Sequence, residues 1–153
     1  RLVGSEMCIR DRIYQSVDTY FADFDEMNSI ITAQTGKAAD LVRFPGGSSN
    51  TISKKYCYGI MSQLVCAVEE RGFRYCDWNV SSGDAGGTTS TSQVVANVIE
   101  GIKSNNVSVV LQHDIKNFSV DAVEQIIQWG LSEGYTFLPM TSTTPMSHHG
   151  VNN

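Results

Sequence analysis

Arg43, Asp84 and His113 are the side chains of this sequence that are best suited to acid–base chemistry. A histidine has an ordinary pKa of about 6.5, so it can hold a proton near neutral pH and release it to a reacting group. An aspartate can orient the imidazole through a charge-assisted hydrogen bond, and an arginine can pair with a carboxylate. They can act together only if the fold gathers them; otherwise they are unrelated polar residues on a solvated surface.

The spacing of the apolar residues predicts four helices and four strands. From Ile13 onward, apolar residues recur at intervals of three and four until Gly36, which is typical of an amphipathic helix that ends at a glycine. Ser119 is predicted to be the N-cap of the fourth helix. The predicted helices cover residues 13–35, 53–71, 94–102 and 119–133, and the predicted strands cover residues 41–44, 73–80, 107–111 and 135–138.

This alternation of helices and strands predicts an α/β fold with parallel strands, either an open sheet or part of a barrel. The carboxyl ends of parallel strands meet at the same edge, where such folds carry their chemistry. Arg43 closes the first predicted strand, residues 77–84 follow the second, and His113 follows the third. We therefore expect these groups to face a common cavity. A helix at the start of the series indicates the C-terminal part of a larger domain.

The composition excludes several classes of protein. The chain has 153 residues, of which 41% are hydrophobic and 18% charged, with a formal net charge of −5. This length suits one domain. The absence of a long apolar run argues against a membrane span, and the acidic balance argues against a nucleic-acid partner.

Residues 1–12 have the sequence RLVGSEMCIRDR, which resembles the translation of a sequencing-library adapter, and we set them apart from the fold. A genuine N-terminus is the alternative. We expect the globular domain to cover residues 13–139 and a polar, solvated tail to cover residues 140–153. His148 and His149 in that tail are adjacent and are not predicted to bind a metal. Three further cysteines without a C-x-x-C pair exclude a zinc knuckle.

Three sequence strings resemble, in order and spacing, the last three of five motifs of the polysaccharide deacetylases. They are RFPGGSSN at residues 43–50, DWNVSSGDA at residues 77–85 and VVLQHD at residues 109–114. These enzymes are the carbohydrate esterases of family 4, which share the NodB homology domain. The resemblance runs from about Ile13 to the end of the chain.

Membership of this family would imply a distorted (β/α) barrel, here its C-terminal part with four βα-type units. It would also imply a divalent metal, usually zinc, and hydrolysis of N-acetyl groups on polysaccharides such as peptidoglycan or chitin. The family's first motif supplies a catalytic aspartate and a metal ligand, and its second supplies two ligand histidines. Neither motif occurs here, so we expect an N-terminally truncated chain that is inactive alone. An extracellular or cell-wall location in a bacterium is also implied.

The resemblance assigns roles to individual residues. His113 would be the general acid that protonates the departing amine. Arg43 matches the arginine that pairs with the family's catalytic aspartate, and without that aspartate we expect an unpartnered guanidinium. Asp84 matches an aspartate that orients either the histidine or the arginine. Asp77 is a competing candidate, although an acid at a strand edge is the simpler interpretation.

The substrate-binding residues implied by the resemblance are Gly46, Leu111 and Trp78. Gly46 occupies the position of a family tyrosine whose backbone N–H helps to hold the oxyanion, and it is equally compatible with a simple turn. Leu111 and Trp78 would line a pocket for the acetyl methyl group, although either could be ordinary core. Ala85 replaces a tryptophan that is common in the family.

Two other functions stay open. One is a non-catalytic carbohydrate-binding module on the same fold, suggested by the replacements at Gly46 and Ala85. The other is an open α/β sheet that binds a small anion at Gly46–Gly47 or Gly86–Gly87, but no G-x-G-x-x-G motif or P-loop supports it.

Overall fold

The computed structural model describes residues 12–153, so the adapter-like segment lies outside the described residues except for Arg12. The described residues form helices and short, two-residue strands. The helices are α1 (Val17–Thr35), α2 (Ile60–Glu70), α3 (Thr91–Lys103) and α4 (Asn117–Ser132), with a 3₁₀ turn at Ser53–Lys55, and the strands are β1 (Leu41–Val42), β2 (Arg74–Tyr75), β3 (Val80–Ser81) and β4 (Val110–Leu111).

The chain divides into two compact units, each with one pair of parallel strands. The first unit contains the residues up to Asp77 together with Thr141–Asn153, and the second contains Trp78–Met140. Strand β1 pairs with β2, and strand β3 pairs with β4. The prediction of an α/β fold with parallel strands is confirmed.

The core of the first unit is rich in aromatic side chains. Helix α1 begins after Ser16, whose Oγ accepts a hydrogen bond from the Thr19 amide at 3.0 Å, and it ends at Gly36 in a left-handed conformation with φ of 75°. It buries Tyr20 and Phe21 in this core. The other buried members include Phe44 after β1, Tyr75 in β2 and, on α2, Ile60, Met61, Leu64 and Val68.

The core of the second unit lies between α3 and α4. Helix α3 buries Val94, Val98 and Ile102, which are four residues apart and therefore share one face. Helix α4 contributes Ala122 and Ile126 to the same cluster. Asp84 and His113 lie in this unit, in the loops that follow β3 and β4.

The strand predicted at residues 73–80 is wrong as one element. It is broken into β2 and β3, which belong to different units. The intervening amides bond to different partners, because Cys76 donates to the Val42 carbonyl at 2.9 Å and Asp77 to the Ser147 carbonyl at 2.7 Å. The apolar pattern identifies the segment but does not reveal this change of partners.

Two further predicted elements differ from the structure. The helix predicted from residue 53 starts as a 3₁₀ turn, and α2 begins only at Ile60 because Gly59 has a left-handed φ of 76°. Residues 135–138 form no strand. Instead the Tyr135 amide donates to the Gly130 carbonyl at 2.8 Å, and the segment turns back against α4.

The segment at 140–153 is not the solvated tail that we predicted. The ring of His148 stacks on that of Tyr75 with the centroids 4.0 Å apart, and its Nε2 lies 3.0 Å from the Tyr75 carbonyl. The Asn153 side chain accepts a hydrogen bond from the Gly59 amide at 2.8 Å and donates one to Ser53 Oγ at 2.7 Å. Polar side chains thus attach this segment to the first unit.

Cys57, Cys66 and Cys76 are free thiols. Among residues 12–153, no helix combines the length and the apolar character needed to cross a bilayer.

Replacing Gly101 by alanine should destabilise the protein although alanine favours helices. Gly101 lies on α3 against Val80 of β3, which is 2% exposed, and a Cβ at Gly101 would overlap with Val80 Cγ1. Overpacking of this kind costs about 1–3 kcal/mol, which exceeds the gain of about 1 kcal/mol in helix propensity. Chemical denaturation of Gly101→Ala measures the loss.

The matched control is the double variant Gly101→Ala with Val80→Ala, in which the smaller side chain makes room for the new methyl group. The cost of Gly101→Ala should be smaller in the Val80→Ala background than in the wild type. Equal costs in both backgrounds would contradict the proposed overlap.

Candidate active site

Asp84 and His113 form a direct pair in the second unit. Asp84 Oδ1 lies 2.8 Å from His113 Nδ1, and Asp84 Oδ2 accepts a hydrogen bond from the His113 amide at 2.7 Å. Asp84 is 1% exposed, whereas the His113 side chain is 18% exposed. Of the two partners considered for Asp84 in the sequence, the structure pairs it with His113.

The loop that carries Asp84 is held from several sides. Gly83 precedes it with a left-handed φ of 79°, and a Cβ there would lie 2.7 Å from the side-chain nitrogen Nδ2 of Asn97. Asn97 on α3 in turn donates to the Ser82 carbonyl at 2.9 Å. The Lys116 ammonium donates to the Asp84 carbonyl. The loop after β3 is therefore held by contacts other than those between the Asp84 carboxylate and His113.

Ser119 binds Asp84, although the sequence pattern predicted it to be a helix N-cap. The helix begins at Asn117 with Lys116 as its N-cap, so the prediction that Ser119 is the N-cap is wrong. Its buried hydroxyl donates to Asp84 Oδ2 at 2.5 Å. A serine at the start of an amphipathic helix was the available signal, but capping is its commoner use.

The surroundings of Asp84 favour its ionised form. Burial raises the pKa of this carboxyl, but hydrogen bonds from Ser119, from the side chain and amide of His113, and from Ser82 outweigh it and lower the pKa from 3.8 to about 2. An ionised carboxylate only accepts hydrogen bonds, so the hydrogen in the contact with His113 is carried by Nδ1. Nε2 is then the nitrogen of His113 that can gain and lose a proton.

Arg43 belongs to the first unit and is not unpartnered, contrary to our expectation. Its Nε donates to the Cys76 carbonyl at 3.1 Å, and its terminal nitrogen donates to the Asp77 carbonyl at 3.2 Å. Two backbone carbonyls therefore orient the guanidinium. That Arg43 shares a cavity with Asp84 and His113 stays a prediction.

Asp77 is a buried residue and not the strand-edge acid of the simpler interpretation. It is 0% exposed, and Oδ1 accepts a hydrogen bond from the Ser48 amide at 2.8 Å. Oδ2 accepts from Ser48 Oγ at 2.5 Å and from the His149 amide at 2.9 Å. Asp77 therefore joins two distant segments of the first unit, for which the sequence offered no signal.

Gly46 occupies a tight turn in the first unit. The Gly47 amide donates to the Phe44 carbonyl at 2.7 Å, and Gly46 has a φ of 83° after Pro45. These are the features of a type II turn, which requires a positive φ at its third residue. The turn interpretation is thus correct, and the exposed Gly46 peptide remains compatible with the predicted role as a backbone donor.

Leu111 and Trp78 are both half-buried residues of the second unit. Leu111 lies on β4, where its backbone pairs with Ser81. Their role in binding an acetyl group stays a prediction.

The metal implied by the family resemblance has no ligand set within the described part of the chain. Between residues 12 and 153, no three or more His, Cys, Asp or Glu side chains are grouped so that they could hold a metal ion. The residues described therefore do not form a metal centre by themselves.

Replacing Asp84 by asparagine should change how stability depends on pH. Because the folded-state pKa of about 2 lies below the ordinary 3.8, the ionised carboxylate stabilises the fold above about pH 4 and loses this contribution as the pH falls toward 2. The difference between these two pKa values corresponds to about 2 kcal/mol in the free energy of unfolding. Asp84→Asn should be less stable at pH 7 and should approach the wild type near pH 2.

Urea denaturation between pH 7 and pH 2 measures this effect. Asp114→Asn is the control, because Asp114 is exposed and its substitution should leave the pH profile unchanged. Parallel profiles for Asp84→Asn and the wild type would contradict the pKa shift.

No protein-family model matches the chain. The catalytic domain of a peptidoglycan N-acetylglucosamine deacetylase from Eubacterium rectale ATCC 33656 is 66% identical, with a TM-score of 0.92 over 94% of this chain and 66% of that structure. The polysaccharide deacetylase Bc1974 from Bacillus cereus is 27% identical, with a TM-score of 0.69 over 84% of this chain and 61% of that structure.

A curated relative agrees with these structures. YheN from Bacillus subtilis strain 168, described as a putative polysaccharide deacetylase, is 26% identical over 141 residues. This chain spans 46% of YheN. The predicted likeness of the fold to a deacetylase catalytic domain is confirmed, and together these matches show that the chain belongs to the polysaccharide deacetylase family.

Proposed function

We propose that the protein hydrolyses N-acetyl groups of N-acetylglucosamine residues in a polysaccharide. The observation that carries this proposal is the Asp84–His113 pair, in which a buried carboxylate holds one nitrogen of a partly exposed imidazole. The match to the E. rectale domain, whose substrate is peptidoglycan, favours peptidoglycan over chitin. A peptidoglycan substrate would in turn place the enzyme outside the cytoplasm or at the cell wall.

His113 acts as the general acid in this proposal. Hydrolysis adds water to the acetamide carbonyl and breaks the C–N bond, and the departing amine must gain a proton. Asp84 accepts the hydrogen of Nδ1, so the proton to be transferred resides on Nε2. The nearby carboxylate stabilises the imidazolium before transfer, and the fixed ring orientation directs Nε2 toward the leaving nitrogen.

The family resemblance gives further proposed roles to Gly46, Leu111, Trp78 and Arg43. The Gly46 peptide would donate a hydrogen bond to the developing oxyanion, supported by its exposure in the turn. Leu111 and Trp78 would contact the acetyl methyl group, and Arg43 would orient a catalytic carboxylate. We also propose that the enzyme uses a divalent metal, zinc being the expected ion; its ligands would lie outside residues 12–153, and it would supply the activation of water.

Replacing His113 by alanine in the full-length enzyme should lower kcat about 100-fold or more, because the leaving amine loses its proton donor. Acetate release from peptidoglycan and from N-acetylglucosamine oligomers, with zinc supplied, measures the change. Asp114→Asn is a control with a similarly placed surface residue. An unchanged kcat for His113→Ala would remove this residue from the mechanism.

Calorimetry with the same oligomers distinguishes a deacetylase from a non-catalytic carbohydrate-binding module. Binding by the full-length protein without any acetate release would instead indicate a carbohydrate-binding module.

A further inference from the structure

The buried carboxylate of Asp77 has no part in the chemistry proposed so far. It is 0% exposed and accepts hydrogen bonds from the amide and hydroxyl of Ser48 and from the amide of His149. Burial of an ionised carboxylate is costly unless such donors surround it. The three donors therefore have to stay in place for Asp77 to remain buried.

Ser48 lies in the 45–50 loop, which also contains the Gly46 turn. Within this loop, the Gly47 amide bonds to the Phe44 carbonyl and the Asn50 amide to the Gly47 carbonyl at 3.1 Å. These local bonds shape the turn but do not attach it to β2. The two bonds between Ser48 and Asp77 do so, because Asp77 lies two residues beyond Tyr75, the last residue of that strand.

The backbone around Asp77 holds Arg43 at the same time. The guanidinium donates to the carbonyls of Cys76 and Asp77, which are on consecutive residues. A rotation of the Asp77 peptide would therefore displace the arginine and the Ser48 loop together. Ser147 accepts a hydrogen bond from the Asp77 amide at 2.7 Å, and so the 147–149 segment restrains this peptide from another direction.

We infer that Asp77 is a positioning residue of the enzyme: its buried carboxylate fixes the loop that presents the Gly46 peptide, and its backbone orients Arg43. Residues 147–149 supply the donor and the acceptor that complete the arrangement. This inference rests on the proposed function, because it concerns the alignment of groups that the proposal uses. Asp77 itself transfers no proton and contacts no reacting atom.

Asparagine is an informative replacement because it keeps the shape of Asp77. Its carboxamide has one oxygen and one NH₂ group. In one orientation the NH₂ group faces the backbone N–H of Ser48, and in the other it faces the backbone N–H of His149, so one pair of donors always meets. We expect Asp77→Asn to weaken the attachment of the 45–50 loop to the segment that follows β2. A misplacement of about 1 Å in an active site lowers rates up to about 100-fold.

The test uses the full-length protein with zinc and N-acetylglucosamine oligomers. Asp77→Asn should lower kcat about tenfold or more with KM changed less than about twofold, because ground-state binding of the sugar does not depend on oxyanion alignment. Amide hydrogen exchange of Ser48 and His149 should accelerate about tenfold or more. Asp114→Asn should change neither quantity.

Ser48→Ala provides the second variant. It removes the hydroxyl donor but retains the amide donor and the charge of Asp77, so we expect a smaller loss of kcat than in Asp77→Asn and faster exchange at residues 46–50. If Asp77→Asn does not fold, Ser48→Ala decides: lower kcat with faster exchange supports the inference, and wild-type values of both overturn it.

A folded Asp77→Asn variant with wild-type kcat would overturn the inference even if its thermal stability were lower, since Asp77 would then be a purely structural residue. The proposed function fails by a different result. If the wild-type protein releases no acetate under these conditions, the assignment as a deacetylase is wrong.

Discussion

A carboxylate that is removed from water has to be surrounded by hydrogen-bond donors, and this constraint shapes both units of the protein. Asp77 follows β2 in the first unit and Asp84 follows β3 in the second, and both are almost completely buried. Each draws its donors from segments distant in sequence, so the loops after the strands cannot move independently of their carboxylates. In both units, the hydrogen bonds to the buried carboxylate therefore hold the loops that follow the strands in place.

The two carboxylates differ in the nature of their partners. Asp84 contacts an imidazole, which can change its protonation state near neutral pH, and its own pKa is held low at about 2. The pair is therefore suited to proton transfer, because the low pKa keeps Asp84 ionised at neutral pH and its carboxylate can stabilise a protonated imidazole. The carboxylate of Asp77 contacts two backbone amides and a hydroxyl, none of which titrates in that range. This arrangement is suited to fixing a conformation.

The sequence predicted the parts of the structure that depend on local periodicity. Apolar spacing and glycine ends identified the helices, and the end of α1 at Gly36 is an example. Motif resemblance placed Asp84 beside His113 as one of two options. The break between β2 and β3 was not predictable, because it arises when consecutive backbone amides bond to Val42 and to Ser147, far away along the chain.

The role of Asp77 was missed for a related physical reason. Its donors are a serine and two backbone amides, which are not distinguished in the sequence from ordinary loop atoms. They lie 29 and 72 residues away from Asp77. The segment at 140–153 was likewise interpreted from its polar composition alone, whereas its order depends on backbone bonds and on the stacking of His148 on Tyr75.

The two departures from the family pattern leave the acid–base pair intact. Gly46 has a φ of 83°, a backbone conformation that a tyrosine would adopt only with strain, so glycine here suits the observed turn. Ala85 is exposed, and the Asp84 carboxylate is held by hydrogen bonds from Ser119 and His113. Neither replacement removes a group that holds Asp84 or His113. These departures therefore change the surface offered to a sugar, and they give little support to a non-catalytic module.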